Sequence, residues 1–172
     1  MARALALEPS DNGFALILED SGGRTLNRLS RPRPAGLLRM LIAITVALGK
    51  IHSRDVVHKD IKPTNILVHP ETGAVKIIDF GISMLLDREA GGGPSPDFLE
   101  GSLPYVSPEQ TGRMNREVDH RSDFYSLGCT FYEVLPGRPP FRTAAPMELL
   151  PCHLAVQPAP PQSQHPELPA AL

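Results

Sequence analysis

The chain has 172 residues, 41% of them hydrophobic, enough for one domain with a buried core. A formal net charge of -2 offers no broad basic surface, which argues against nucleic acid as a partner. Cys129 and Cys152 lack metal-ligand spacing and do not suggest a disulfide scaffold, which suits a reducing cytosol.

The first seven residues run directly into Glu8 and contain no signal-peptide core. Residues 13–18, Gly-Phe-Ala-Leu-Ile-Leu, read as a buried strand, and Ser21-Gly22-Gly23 as a turn. Residues 35–53 read as a helix. Leu37, Leu38, Leu41, Ile44, Ala47, Leu48 and Ile51 form its core face, with Pro34 fitting the first turn. The longest apolar run, residues 41–49, is too short to span a bilayer, so a cytoplasmic chain with no membrane partner is expected. Short strands follow over residues 55–58, 66–69 and 75–78. The last two flank a hairpin turn at Pro70-Glu71-Thr72-Gly73.

Residues 87–97, with Gly91-Gly92-Gly93-Pro94-Ser95-Pro96, read as a mobile loop in which Ser95 is an ordinary loop serine. A second helix is predicted over residues 122–135, capped by Ser122, with Phe124, Leu127, Phe131 and Val134 on one face. Ten of the last 37 residues are proline, so the tail is expected to be irregular apart from a helical turn or two near residues 147–150.

Phosphoryl transfer from a nucleotide needs an oriented hydroxyl, metal ions held against the phosphates, and stabilised charge on the transferring group. One stretch offers candidates for each: His58-Lys59-Asp60-Ile61-Lys62-Pro63-Thr64-Asn65, followed by Asp79-Phe80-Gly81. Asp60 follows a short strand and is placed to accept a hydroxyl proton. Lys62 can reach a phosphate as a point charge. Asn65 offers an amide oxygen and Asp79 a carboxylate, both hard ligands suited to magnesium. Alone, Asp60 reads equally well as a turn aspartate. Lys62, Asn65 and Asp79 in register turn the reading toward a catalytic base. His58 reads as structural, and His52, His69, His120 and His153 as surface or core histidines.

In this order, the motifs resemble those of a eukaryotic-type Ser/Thr protein kinase domain. The stretches Ser107-Pro108-Glu109-Gln110-Thr111-Gly112-Arg113-Met114-Asn115-Arg116, Asp123-Phe124-Tyr125-Ser126-Leu127-Gly128 and Gly137-Arg138-Pro139-Pro140-Phe141 carry the resemblance further. They are similar to the kinase modules of large bacterial signalling proteins that also carry an ATPase region and a sensor histidine kinase. The resemblance covers roughly residues 13–160.

It implies an α+β fold, mainly α: a kinase C-terminal lobe with a hinge strand and a small β ribbon, the N-terminal lobe largely missing. Residues 1–12 would be a poorly ordered N-terminus, 13–150 a partial kinase domain, and 151–172 a disordered Pro-rich tail. ATP and Mg2+ are the implied cofactors. A protein substrate and other domains of a larger signalling protein are the implied partners. Asp60 and Lys62 would be catalytic, and Asn65 and Asp79 would hold the metal. Glu19, Asp20 and Ser21 would bind adenine through their backbone, behind a gatekeeper at Leu18 and above a floor at Leu67. Ser102 would take the place of the usual threonine near the catalytic loop. Asp123 would hold backbone N–H groups of that loop.

The chain departs from the family in several places. No lysine precedes Lys50 and no Gly-x-Gly-x-x-Gly loop occurs, so the phosphate-gripping elements are absent from this sequence. Glu109 would pair with a late arginine in the family, yet no arginine follows Arg142. Lys59 stands where many kinases have an arginine that clamps a phosphorylated activation segment, and lysine is the weaker clamp. Activity independent of such phosphorylation is the resulting expectation. The chain reads as an incomplete kinase. The alternative is a catalytically dead, kinase-like scaffold or binding module.

Overall fold

The computed structural model describes residues 4–10, 13–29, 34–86, 100–135 and 137–163. Its longest element is the helix α1 (Pro34–His52). Leu37, Leu41, Ile44, Leu48 and Ile51 recur on it at steps of three and four, and all five are buried. Leu38 is not on that face: it is 53% exposed, on the same side as Ile42 and Val46. One residue past Leu37, it is turned about 100° around the helix axis.

Among the described residues, three small antiparallel sheets accompany α1. The first pairs β1 (Ala4–Ser10) with β2 (Gly13–Leu18). The second has the order β3 (Arg24–Thr25), β5 (Ile66–Val68), β6 (Val75–Ile77). The third pairs β4 (Val56–Val57) with β7 (Met84–Leu85). Residues 4–10 form the strand β1. The first sheet corrects one sequence expectation. β2 is a strand, as read, but every residue of it is exposed, Phe14 by 73%. An apolar run specifies extended backbone; it does not specify what covers it.

The β5–β6 hairpin closes as its turn residues require. His69 N–H donates to Ala74 O at 2.8 Å, Gly73 N–H donates to His69 O at 2.9 Å, and Gly73 takes φ 67°. Ile66 and Ile77, directly opposite each other, face the core with Leu26, Ile61, Val68 and the lower half of α1.

The helix α2 (His120–Val134) starts two residues before the expected Ser122. Its cap is Asp119, whose side chain accepts from Arg121 N–H at 2.7 Å. Ser122 lies inside the first turn, buried, and donates to Glu109. Glu109 therefore has a hydroxyl partner in place of the expected arginine. Leu127 enters the main core and Phe131 and Val134 pack beside it, whereas Phe124 is half exposed against the rings of His52 and His120. α3 (Leu149–Ala155) spans the start of the stretch read as a Pro-rich tail, anchored by buried Leu149, Leu150 and His153. His153 sits between Leu103 O and the Tyr125 hydroxyl, at 2.8 Å from each. The loop read over residues 87–97, including Ser95, and the tail from residue 164 lie outside the described residues. No helix among the described residues is long and apolar enough to cross a membrane.

Both cysteines are free, and their surroundings differ. Cys129 is buried in α2, and burial pushes its thiol up to about 12. A thiol-specific disulfide reagent near neutral pH is expected to label Cys152 in the native chain and to leave Cys129 unlabelled until denaturant is added. Mass spectrometry of the two cysteine-containing peptides reads the result.

Candidate active site

α1 ends at His52, and the chain turns through Asp55, at φ 58°, into β4. The residues after β4 are held from α2. Asp123, fully buried, accepts from the backbone N–H groups of His58 and Lys59, both at 2.8 Å, and from His52 Nε2 at 2.8 Å. Lys59 adopts φ 68°, a left-handed conformation that costs a lysine roughly 1–2 kcal/mol. The charge-assisted bond to its N–H offsets that strain. This is the role the family resemblance implied for Asp123.

His58 is buried beneath the loop. Its Nε2 donates to Ile78 O at 3.0 Å, its Nδ1 accepts from Asp60 N–H at 3.3 Å, and its ring lies 4.7 Å from that of Phe80. These partners fit the neutral ring with its proton on Nε2. Burial lowers its pKa, and burial does the same to His153. When unfolded, both rings take up protons below about 6.5; when folded, they resist. Stability is therefore complete above that pH and falls as the pH drops below it, by up to ~1.4 kcal/mol per pH unit for each ring. Urea unfolding followed from about pH 7.5 to 5 should show this slope, and replacing His153 with Gln should roughly halve it.

Asp60 stands at the centre. Its Oδ2 accepts from Lys62 Nζ at 2.6 Å and from Asn65 Nδ2 at 3.0 Å. Asn65 Nδ2 also donates to Asp60 O at 2.9 Å, and Lys62 Nζ reaches Ser102 Oγ at 2.8 Å. Burial opposes ionisation of this carboxyl. Hydrogen bonding from Lys62, Ser102 and Asn65, with the lysine charge, outweighs it and holds the pKa below the usual carboxylate range. The other oxygen, Oδ1, is buried and has no hydrogen-bond partner. A buried acceptor left open on an ionised carboxylate is suited to a hydroxyl proton.

The hairpin register brings the chain just before Asp79 back to Asn65. Asn65 directly precedes β5, and Asp79 follows β6 by two residues. Ile78 N–H donates to Asn65 O at 3.0 Å, which joins the two ends. Asp79 is exposed and takes φ 66°. No group of three or more His, Cys, Asp or Glu side chains gathers as a metal site among the described residues. A two-residue oxygen set still suits magnesium, which keeps waters and binds substrate phosphates rather than filling an all-protein cage.

The hinge candidates lie at the edge of the second sheet. Lys76, opposite Leu67 in the register, reaches Glu19 Oε1 at 3.0 Å, and Asp20 Oδ1 accepts from Gly22 N–H at 2.9 Å. Glu19 and Asp20 are exposed, Ser21 and Leu67 half-buried, and Leu18 exposed. Glu100 and Gln110, the latter inside the Ser107-to-Arg116 stretch, also meet this loop. Glu100 pairs with Lys59 across 41 positions, and Gln110 bonds to the same loop. Neither contact has a local sequence signal.

A loop with this carboxylate, lysine and asparagine, followed by a hairpin ending in Asp-Phe-Gly, has the residue pattern expected of a phosphoryl-transfer site. The protein kinase domain profile matches residues 6–162, and the chain belongs to the protein kinase domain family. Its relatives include the serine/threonine-protein kinase PknB of Mycobacterium tuberculosis, 37% identical over 161 residues, 91% of this chain and 25% of that protein. A probable serine/threonine-protein kinase of Corynebacterium efficiens is 34% identical over 150 residues, 85% of this chain and 22% of that protein. A probable PknB of Bifidobacterium longum is 35% identical over 158 residues, 90% of this chain and 22% of that protein. The chain thus spans about a quarter of the length of these relatives.

Proposed function

We propose that this chain carries the hydroxyl-orienting and metal-holding side of a Ser/Thr protein kinase site, transferring the terminal phosphoryl group of ATP to a protein hydroxyl. The observation that carries the reading is the open, buried Oδ1 of Asp60, beside Lys62 and Asn65. Asp60 accepts the hydroxyl proton and aligns the oxygen for attack. Lys62, already bonded to Asp60 and Ser102, is within reach of the transferring group and balances its charge. Asn65 and Asp79 would hold magnesium, which when bound neutralises charge on the phosphates. Backbone groups of Glu19, Asp20 and Ser21 would receive adenine, with Leu67 beneath it and Leu18 as gatekeeper. The elements fit a kinase C-terminal lobe with its hinge, in a cytoplasmic protein that acts on a protein substrate beside other signalling domains.

The second reading is a kinase-like binding module without turnover. Thermal unfolding with and without millimolar ATP and magnesium, alongside transfer of labelled phosphate to a generic protein substrate, separates the two. A stabilising shift with transfer supports the kinase reading. A shift without transfer supports the binding module. No shift defeats both as nucleotide-dependent functions of this chain.

A further inference from the structure

Three consecutive residues, 100–102, each meet the catalytic loop. The Glu100 carboxylate forms an ion pair with Lys59 Nζ, whose side chain is only 14% exposed. Gly101 takes φ +109°, and a Cβ there would lie 3.2 Å from both Lys59 O and Gln110 Nε2. A side chain at this position would therefore crowd the contact. Ser102 meets Lys62 at 2.8 Å.

Gln110 braces this seam. Its Nε2 donates to Lys59 O at 2.8 Å and to Glu100 O at 3.3 Å. Its Oε1 accepts from Ser107 N–H at 3.2 Å and from Ser107 Oγ at 3.0 Å. One buried amide thereby uses both protons and its oxygen to join three stretches of chain. None of these groups is needed to receive a hydroxyl proton or to hold a metal.

We propose that Gln110 and Glu100 are positioning residues: together they hold residues 100–102 against the catalytic loop, with no covalent modification of that segment, so that Ser102 is presented to Lys62. The consequence for turnover rests on the kinase reading above; the clasp itself does not. A half-exposed ion pair is weak and screened by salt, so Glu100 sets the register. The buried amide supplies most of the hold, because removing it leaves desolvated partners unsatisfied.

Hydrogen exchange of the whole chain, read by mass spectrometry, tests this without catalysis. Gln110→Glu replaces the donor with a carboxylate facing two carbonyl oxygens. It should speed exchange in peptides covering residues 58–62 and 100–106 by roughly tenfold or more, and leave the β5–β6 hairpin unchanged as the internal control. Glu100→Lys should speed the same peptides by about two- to threefold, and adding Lys59→Glu should restore them. Phosphatase treatment, with the mass checked, should change nothing. Unchanged exchange in both variants, or protection lost on dephosphorylation, overturns the proposal. If Gln110→Glu also loosens the hairpin, the reversed Lys59/Glu100 pair decides: a double variant no better protected than Glu100→Lys rejects the clasp. Where phosphoryl transfer is measurable, Gln110→Glu should lower kcat and leave KM for ATP unchanged. A wild-type chain that shows the clasp but transfers no phosphate counts against the kinase reading and not against the clasp.

Discussion

Replacing Asp123 with Ala should leave the chain barely folded. The carboxylate is fully buried and receives three hydrogen bonds, two from backbone N–H groups in the candidate catalytic loop and one from His52. Truncation strands those donors in a dry interior and removes the restraint on the left-handed Lys59. The expected loss is about 3–5 kcal/mol, comparable to the whole stability of many single domains. Asp123→Asn keeps an acceptor oxygen but turns an amide N–H toward a donor, so its loss should be smaller, about 2 kcal/mol. Urea midpoints at constant slope measure both. Arg121→Ala, which breaks only an exposed pair with Asp119 two residues away, is the control and should leave the midpoint unmoved. An Asp123→Ala midpoint equal to that of the control would show that the carboxylate does not hold the loop.

Asp60→Asn should have the opposite profile. In a chain that transfers phosphate, the rate should fall by roughly 10²–10⁴-fold, because an amide cannot take the hydroxyl proton. Stabilisation by ATP and magnesium should persist, since the residues read as metal and nucleotide ligands are Asn65, Asp79 and the hinge. The side chain keeps its volume and one acceptor for Lys62. Rates and thermal midpoints measured on the same preparation separate the two effects. Loss of the nucleotide-dependent shift together with transfer would mean that Asp60 acts through binding and not as the base.

The parts of this site legible in the sequence are those built from neighbours. Asp60, Lys62 and Asn65 come together because five residues of loop and a three-residue helical turn, Pro63–Asn65, leave them little freedom. The chain just before Asp79 meets Asn65 because Pro70-Glu71-Thr72-Gly73 sets a tight hairpin whose register fixes its two ends. What stayed hidden depends on contacts between distant segments. The periodicity of α1 located a core stripe but could not say that Leu38 falls outside it. The apolar run of β2 announced a strand and implied a cover that the described residues do not supply. Glu109 was short of a partner in sequence because the family pattern points to an arginine, whereas Ser122, thirteen residues on, supplies a hydroxyl.

The Asp123 junction also orders events during folding. Its three bonds close loops of 64, 65 and 71 residues, whereas the β5–β6 hairpin closes over a turn of a few. A hairpin forms in microseconds, and long loops must first meet their closure entropy. The ends of the hairpin, Asn65 and Ile78, are therefore brought together early, and the backbone at His58 and Lys59 is fixed only when α2 docks. A nascent chain released before α2 has the sequence from His58 to Asn65 without the buried carboxylate that holds its backbone, so the anchoring of this loop is a late product of the tertiary fold.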